Sequence, residues 1–338
     1  MADNQLREPE LTTPVKLCDE KGCLASSCRG WARQPFVECN LPARWPRKKR
    51  WNYWFICHPE CIFSAAIVDI DYLGQAFMYF LDLNTKLYIE KTVQLPLSYG
   101  LKMQNTVLDN VEYKGSRLQI TFARQDDDTH LQVKGQGVEA DITIHRPPGH
   151  ETLNAVIPWS DRVFHFTSKQ VCLPSEGYIR AERKQYDLNP DFCFASLDYA
   201  RGIWPYRIGW NWATASGIAA GGQVAGLNLG SKWTDGTGMT ENAIVVDGRL
   251  QKISDNVLFE YDLKNIMKPW HIKTVSSDRI NLLFEPVYSR VNRTNAIVLG
   301  TELYQVVGYY SGQLLTDEQE TITLDRVLGS AEEHNCKW

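Results

Sequence analysis

The sequence lacks a long hydrophobic run and an excess of either charge. Its most apolar segment, residues 63–83, is interrupted by Asp69, Asp71 and Asp82. Because a transmembrane helix needs about twenty consecutive apolar residues, no membrane span is predicted. With 36 basic and 40 acidic side chains, the formal net charge is −4. That balance argues against a protein whose whole surface tracks nucleic acid or anionic lipid.

A secretory signal is also missing. Residues 1–14 carry four charged side chains and no apolar run behind them, so we expect no export by that route. The nine cysteines are an odd number in a long chain, which suits reduced thiols better than a disulfide framework. We therefore expect a cytoplasmic protein.

Close metal-ligand spacings are absent as well. The first four cysteines, Cys18, Cys23, Cys28 and Cys39, are separated by gaps of four, four and ten residues. They lack the C-x2-C pair that sets two thiolates on one zinc ion, and the histidines form no H-x3-H or H-x-H pair. Small buried side chains are the favoured interpretation, with a zinc site as the alternative. No metal is predicted.

Motifs of common cofactor and hydrolase sites do not occur. The glycine-rich stretch 221–238 contains Lys232 but matches neither the G-x-x-x-x-G-K-[ST] phosphate loop nor a G-x-G-x-x-G turn that opens a helix. No G-x-S-x-G elbow is present. We therefore predict no cofactor and find no local support for a serine hydrolase.

The chain does contain many short strand-like segments. From Phe63 onward, β-branched and aromatic runs alternate with turn residues, a pattern typical of antiparallel all-β proteins. The sharpest hairpin signal is Asp247-Gly248 between Val246 and Arg249. So many strands in one small sandwich would leave long exposed edges, and closure into barrels is the usual remedy. The sequence predicts two barrel-like units.

The predicted organisation has three parts. A chain of 338 residues exceeds the size at which single hydrophobic cores stop growing. Residues 1–62 are rich in Cys, Arg and Pro and show neither the helical nor the strand periodicity of hydrophobic residues. We therefore expect an irregular segment packed on the first unit. The first barrel-like unit is predicted over 63–165 and the second over 166–338, although no Gly/Ser/Pro linker marks the boundary.

The most charged segment, residues 44–50, leads into the aromatic residues of 51–54. Such a run could bind phosphates and stack on bases. It is a single short run on an acidic protein, so the favoured interpretation has solvated cations while the rings pack on a barrel end. A narrower alternative pairs a cation from Arg47–Arg50 with a substrate carboxylate. No nucleic acid partner is predicted.

Aromatic side chains concentrate further along the chain. Trp204, Tyr206, Trp210 and Trp212 lie within nine residues, and Trp233 follows. In a strand, Trp210 and Trp212 share one face. The group forms either a core plug or the wall of an apolar pocket, because indole offers a large area and one hydrogen-bond donor.

A candidate acid or base follows in Glu241. A carboxyl at a strand mouth could transfer a proton, with the Asn242 amide and the Arg201 guanidinium placing the substrate. The alternative for Glu241 and Asn242 is a turn carboxylate and an Asx-turn amide.

An ordered set of short motifs resembles one family, the domain-of-unknown-function family 2804, over nearly the whole chain. The motifs are GWARQP (30–35), KRWNYW (49–54), DYLG (71–74), FTSK (166–169), LPSEG (173–177), ENA (241–243), DGR (247–249), AEEH (331–334) and KW (337–338). Its remote relatives are similar to two-lobed lipocalin-like proteins that include carotenoid hydratases and natural-product cyclases. The resemblance implies two antiparallel lipocalin-like barrels or curved sheets packed together. It also implies a barrel or inter-barrel cavity that holds a hydrophobic molecule while a few polar groups move protons.

The leading hypothesis is a cofactor-independent lyase, hydratase or isomerase that acts on a hydrophobic or amphipathic small molecule in an aromatic-lined barrel cavity. The alternative is a non-catalytic carrier for a lipid or pigment, and a third possibility is a partner-binding protein that uses the basic segment 44–54. A titratable group with a perturbed pKa inside the cavity would separate the first hypothesis from the second.

Overall fold

The computed structural model describes residues 8–42, 44–296 and 298–338, and nearly all of its regular structure is strand. No helix in these ranges has the length and hydrophobicity to span a bilayer. The N-terminal part contains β1 (Val15–Lys16), a 3₁₀ turn (Ser26–Cys28), β2 (Trp31–Ala32) and β3 (Val37–Glu38). β1 and β3 form a small parallel ladder, and β2 joins the first of two large sheets.

The first large sheet has fourteen strands, of which β2 is one. The others are β4 (Lys48–His58), β5 (Cys61–Asp69), β6 (Leu73–Asp82), β7 (Tyr88–Pro96), β8 (Lys102–Met103), β9 (Val111–Lys114), β10 (Gln119–Gln125), β11 (Asp128–Gly135), β12 (Val138–Ile144), β13 (Leu153–Pro158), β14 (Phe164–Ala181), β15 (Lys184–Leu188) and β16 (Phe194–Ile203). Their main order is β7-β6-β5-β4-β16-β14-β12-β11-β10-β9-β8. β14 bends at a bulge between Gln170 and Leu173, so its two halves pair with different strands and the sheet curls.

The second large sheet has nine strands, all paired antiparallel, in the order β20-β19-β18-β17-β25-β24-β23-β22-β21. They are β17 (Arg207–Ile218), β18 (Val224–Ser231), β19 (Asn242–Val246), β20 (Arg249–Ile253), β21 (Val257–Glu260), β22 (Trp270–Thr274), β23 (Ile280–Asn295), β24 (Gly300–Leu315) and β25 (Thr321–Lys337). Two curved antiparallel sheets packed together confirm the predicted fold class.

The predicted hairpin is also confirmed. Val246 and Arg249 are register partners, and Asp247 and Gly248 connect them with φ angles of 46° and 78°. Positive φ at both central residues is the requirement of the tight turn that suits antiparallel strands, and the Asp-Gly pair meets it at low cost.

Two boundaries differ from the sequence prediction. β4 is a central strand of the first sheet, although the sequence predicts irregular structure up to residue 62. Most of β4 is buried, so it reads as a continuous apolar run without the alternation of a half-exposed strand. The chain leaves the first sheet at 204–206, later than the predicted 165/166, because β14 and β16 take their partners from the first sheet.

Each sheet curves around its own apolar core, and two further apolar clusters join the sheets. The tryptophan cluster includes Trp31, Leu153 and Ile157 from the first half of the chain and Trp233 and Val245 from the second half. The tyrosine cluster combines first-sheet residues Tyr53, Tyr79 and Leu81 with second-sheet residues Trp212 and Val307. The two clusters adjoin in the seam between the sheets, because Trp51 and Trp210 pack against both.

The cysteines are small buried side chains, as favoured from the sequence. All nine are free thiols, and all but Cys23 are buried. Burial raises the pKa of the Cys28 and Cys39 thiols to about 12, so these groups stay protonated near neutral pH.

The basic segment 44–50 does not present the predicted row of solvated cations. Lys48 pairs with Asp71, and Arg50 forms an ion pair and a hydrogen bond with Asp69. Lys49 is fully buried, and its ammonium donates to two backbone carbonyls. The expectation of solvated cations fails because β4 lies between β5 and β16. Its cationic side chains therefore contact carboxylates at the end of β5 and in the turn that follows β5.

A buried ion pair anchors the N-terminal segment to the second sheet. The Glu8 carboxylate accepts hydrogen bonds from the Lys252 ammonium, the Thr240 backbone N–H and, at 2.6 Å, the Ser254 hydroxyl. The side chains of Lys252 and Glu8 are only 6% and 2% exposed. The Glu8 carbonyl accepts the indole N–H of Trp31 at 3.2 Å, and β2, which carries Trp31, pairs with β13. This contact therefore links the two sheets.

The Glu8→Ala substitution should lower the free energy of unfolding by about 3–5 kcal/mol, because it leaves a buried ammonium without a counter-charge. The matched control is Glu10→Ala, since Glu10 pairs with Arg33 at the surface and such pairs contribute about 0–1 kcal/mol. Urea unfolding of both variants at neutral pH measures the difference. Equal losses would contradict the anchoring role.

Candidate functional site

The site begins with a cross-strand pair in the first sheet. Lys169 on β14 and Asp198 on β16 are register partners, which puts their Cβ atoms about 5 Å apart on the same face. The Lys169 ammonium lies 2.8 Å from an oxygen of Asp198. Both side chains point toward the second sheet.

Glu241 reaches this pair from the second sheet. It lies just before β19, is almost fully buried, and places one carboxylate oxygen 3.2 Å from the Lys169 ammonium. Its other oxygen accepts the indole N–H of Trp233 at 2.6 Å. A Cβ at Gly230 would collide with this carboxyl group, so the glycine leaves the space in which Glu241 lies.

Glu332 on β25 completes the group. Its cross-strand partners are Trp212 and Gln305, and one oxygen accepts the Gln305 amide at 2.6 Å while the other accepts the Trp210 indole N–H at 3.3 Å. Gln305 also donates to the Tyr53 hydroxyl of the first sheet at 2.9 Å. We call Lys169, Asp198, Glu241 and Glu332 the Lys169 cluster.

The cluster contains more carboxyl groups than its single ammonium compensates. Burial raises the pKa of Glu332 to about 7. Hydrogen bonds from Trp210 and Gln305 act in the opposite direction but do not cancel this shift. Burial also raises the pKa of Glu241, although Lys169 opposes the shift. Burial acts to lower the pKa of Lys169, but Asp198 and Glu241 outweigh it and the net change is upward. The cluster thus combines a charged ammonium with a carboxyl group that titrates near neutral pH.

Indole rings surround the cluster and supply specific hydrogen bonds. Trp51 donates to Asp198 at 3.1 Å, so each of the three carboxyl groups has its own indole donor. The Lys169 ammonium lies 4.9 Å from the ring centre of Trp212, a cation–π contact. Trp51 and Trp210 keep part of their surface exposed. The surroundings are apolar around a few oriented polar groups, as in small-molecule sites.

A second layer of rings supports the first. Trp204, in the connection between the sheets, stacks on Trp233 with centroids 5.7 Å apart and donates to Nδ1 of His165 at 2.9 Å. Burial holds the pKa of His165 well below its usual range. This imidazole is therefore a neutral acceptor that orients Trp204.

Four of the predicted residues contact the Lys169 cluster or belong to it: Glu241, Trp210, Trp212 and Trp233. Trp204 lies in the layer behind them. Their catalytic and binding roles stay predictions.

The other three predicted residues lie elsewhere. Arg201 is three positions from Asp198 on β16 and therefore points to the opposite face, where it donates to the Trp51 carbonyl and the Asn52 side chain. Asn242 accepts the Gly230 N–H and donates to the Asp255 carbonyl. Tyr206 is half-exposed and donates to the Val298 carbonyl at 2.7 Å.

The location favours the inter-barrel alternative over a cavity inside a barrel. The interior of each curved sheet is packed with buried apolar side chains, whereas the predicted tryptophans belong to clusters in the seam between the sheets. Alternation along β17 explains why these tryptophans lie in the seam, because Trp210 and Trp212 project from the face of β17 opposite the apolar core of the second sheet.

Sequence reasoning missed the roles of Lys169, Asp198 and Glu332. Two of them lie inside quoted motifs: Lys169 ends FTSK, and Glu332 lies in AEEH. A signal therefore existed for these two residues. No spacing rule could connect them, because β14, β16 and β25 meet only after the sheets have formed and packed.

Comparison with known proteins agrees with this architecture. The family described as Domain of unknown function (DUF2804) matches residues 8–338. No curated protein matches the chain.

Three solved structures share the fold at low sequence identity. CghA has a TM-score of 0.53 at 11% identity and covers 100% of this chain and 96% of its own. Kievitone hydratase from Nectria haematococca has a TM-score of 0.51 at 9% identity, and the match covers 86% of this chain and 88% of the hydratase. An AttH-type protein from Nitrosomonas europaea has a TM-score of 0.52 at 12% identity, and the match covers 85% of this chain and 92% of the AttH-type protein. At these identities the likeness shows the fold alone.

The raised pKa of Glu332 predicts a pH-dependent stability. In the unfolded chain this carboxyl ionises near its ordinary value of 4.5, whereas in the fold its pKa is about 7. Between about pH 4.5 and about pH 7, Glu332 is therefore protonated in the folded state and ionised in the unfolded state. The stabilisation is therefore complete below the ordinary value and is lost, by about 3 kcal/mol, as pH rises through the folded value.

The Glu332→Gln variant removes this titration and serves as the reference. Urea unfolding at about pH 5 and about pH 8 should show the wild type losing about 3 kcal/mol relative to the variant. A difference in stability that stays constant over this range would show that the buried carboxyl titrates normally.

Proposed function

This chain belongs to the DUF2804 family, and we propose that it is a cofactor-independent lyase, hydratase or isomerase. Its substrate is a hydrophobic or amphipathic small molecule bound in the seam between the two sheets. Glu332 and Glu241 are the proton-transfer groups in this proposal. The kinship of fold with kievitone hydratase is consistent with such chemistry.

The observation that carries the proposal is the environment of Glu332. Its carboxyl group is buried among indole and tyrosine rings, and its pKa is raised to about 7. General acids work best when their pKa lies near the working pH, because both protonation states are then populated. A second carboxyl, Glu241, is held beside Lys169 in the same seam. Two carboxyl groups in different environments can divide the roles of acid and base.

The chemistry that fits is acid-initiated addition to a carbon–carbon double bond. Glu332 in its acid form gives its proton to one carbon, and the π electrons form the new C–H bond. The other carbon becomes cationic, which the faces of Trp210 and Trp212 stabilise. A water oxygen then adds to this carbon, and its released proton passes to the Glu241 carboxylate. The net change is addition of water, with no external oxidant or reductant.

A variant of the same step yields an isomerase. If the cationic intermediate loses a proton from a neighbouring carbon to Glu241, the double bond moves and no water is added. Lys169 keeps a compensating positive charge beside Asp198 and Glu241 in both cases. The indoles fill the seam, so binding must turn rings aside or part the sheets.

The carrier alternative needs the aromatic walls but no titratable group. The perturbed pKa of Glu332 favours the enzyme by the criterion set from the sequence. The partner-binding alternative relied on an open basic segment, and Lys48, Lys49 and Arg50 already have partners within the chain.

The test begins with mass spectrometry of the small molecule that co-purifies with the native protein. With that compound as substrate, Glu332→Gln and Glu241→Gln should each lower turnover by about 10²–10⁴-fold, because each removes a proton-transfer group. Ligand affinity, measured separately, should change little. Incubation in ¹⁸O-water should place the label in the product of a hydratase and not in that of an isomerase.

Glu333→Gln is the matched control. Glu333 neighbours Glu332 on β25 but points to the other face, where it pairs with Lys232 and accepts from the Tyr261 hydroxyl. This variant should keep wild-type turnover. Unchanged turnover in E332Q and E241Q would remove the proposed roles, and tight binding without any turnover in the wild type would establish a carrier.

A further inference from the structure

Lys49 differs from its neighbours in the basic segment. Lys48 and Arg50 each pair with an aspartate at the end of β5 or in the turn after it. The Lys49 side chain is fully buried, and its ammonium donates to two backbone carbonyls, at 3.0 Å and 3.1 Å. No Asp or Glu of the described residues lies within ion-pair distance of it. An ammonium has three N–H groups, so one of them has no oxygen acceptor among these residues.

The surroundings of Lys49 leave its charge poorly compensated. Burial lowers the pKa of Lys49 to about 8, and Asp71 and Asp69 offset this only in part. The ammonium lies 4.8 Å from the ring centre of Tyr72 and 5.4 Å from that of Trp338, and both rings are partly exposed. Aromatic faces attract a cation but bring no counter-charge. A buried ammonium in such surroundings favours a ligand that carries a negative charge.

Two further hydrogen-bond donors lie beside this ammonium. The Tyr72 hydroxyl and the Trp338 indole N–H are buried atoms without a hydrogen-bond partner among the described residues. Because both rings contact the Lys49 ammonium, the three groups lie together, and we call them the Lys49 group. A buried donor that stays unpaired costs about 1–3 kcal/mol. A carboxylate accepts several hydrogen bonds at its two oxygens and would pair with all three donors.

Strand alternation places the Lys49 group in the seam. Lys49, Trp51 and Tyr53 alternate along β4 and share one face. Trp51 donates to a carboxyl group of the Lys169 cluster. The Tyr53 hydroxyl accepts from Gln305 of the second sheet. The face that carries Lys49 is therefore the face that meets the second sheet.

Two indole rings connect the Lys49 group with Glu332. Trp338 follows β25 and packs on Trp210 with ring centres 6.4 Å apart. The Trp210 indole N–H lies 3.3 Å from a Glu332 oxygen, and both rings are partly exposed. The charge of Lys49 acts on the Cys336 thiol, which lies four residues from Glu332 along β25, or about 13 Å. The Lys49 group and the proposed acid thus lie about one small molecule apart.

We propose that the Lys49 group binds the carboxylate of an amphipathic substrate whose apolar part extends along Trp210 toward Glu332. The ammonium supplies the counter-charge, and the hydroxyl and the indole N–H complete the hydrogen bonds. Among the cations of Arg47–Arg50, this assigns a substrate carboxylate to Lys49. The assignment rests on the proposed function only for the reacting end, because the carboxylate is inferred from the Lys49 group itself.

The test compares octanoate with octanamide, two probes that share an eight-carbon chain and differ in the charge of the head group. Isothermal titration calorimetry on the full-length protein at neutral pH should give about tenfold tighter binding for octanoate, as expected for a charge-assisted hydrogen bond. Equal affinity of the two probes for the wild type would overturn the proposal.

The Lys49→Met variant should bind octanoate no better than octanamide, because it keeps an apolar side chain of similar length without the charge. Tyr72→Phe should weaken octanoate binding by about fivefold. This variant removes an oxygen that has no partner among the described residues, so it should fold as the wild type does. Lys48→Met is the matched control, since Lys48 projects to the opposite face of β4 and pairs with Asp71.

Urea unfolding shows whether each variant is folded. A preference for octanoate that survives in folded Lys49→Met would overturn the proposal, as would an equal loss of preference in Lys48→Met. If Lys49→Met does not fold, Tyr72→Phe decides, and unchanged octanoate affinity in that variant would contradict the carboxylate site.

The Glu332→Gln variant separates this proposal from the proposed function. It should bind octanoate as the wild type does, because the Lys49 group is about 13 Å away along the strand. If E332Q keeps full turnover while the octanoate preference depends on Lys49, the catalytic role fails and the carboxylate site stands. If E332Q loses turnover but folded K49M keeps the preference, the carboxylate site fails and the catalytic role stands.

Discussion

The structure depends on one buried ammonium that is shared between two sheets. Lys169 and Asp198 come from the first sheet, whereas Glu241 and Glu332 come from the second. A buried charge that loses its partner costs several kcal/mol, so the ion pair between Lys169 and Glu241 favours the packing of the two sheets that brings these groups together. The candidate site is therefore complete only where the two sheets pack together.

The groups around the Lys169 ammonium stabilise its charge in the buried seam. Indole N–H groups donate to each carboxyl group, and an indole face lies against the ammonium. Apolar clusters adjoin the site within the seam, and such surroundings strengthen these interactions. One ammonium nevertheless does not balance three carboxyl groups. Burial therefore raises the pKa of Glu332 to about 7, and the neighbouring groups do not cancel this shift. A second buried pair, Glu8 with Lys252, repeats the pattern where the N-terminal segment meets the second sheet.

Several features could be predicted because they are local. The Asp247-Gly248 turn follows from backbone sterics, and the common face of Trp210 and Trp212 follows from strand alternation. The sequence makes Glu241 a candidate because a carboxyl at a strand mouth could transfer a proton, and its role stays a prediction. The prediction for Arg201 failed because alternation on β16 turns its side chain away from Asp198. Such a failure is visible only when the strand boundaries are known.

By itself, the sequence determined the all-β class, the family, the hairpins and the concentration of tryptophan, since each depends on residues close together in the chain. Tertiary structure decided that Lys169, Asp198 and Glu332 meet, that the aromatic residues line a seam instead of a barrel interior, and that β4 lies in the centre of a sheet. These outcomes depend on pairing between distant strands and on burial. Both are properties of the packed sheets, because the pKa of a carboxyl group and the partner of an ammonium are set by what surrounds them in space.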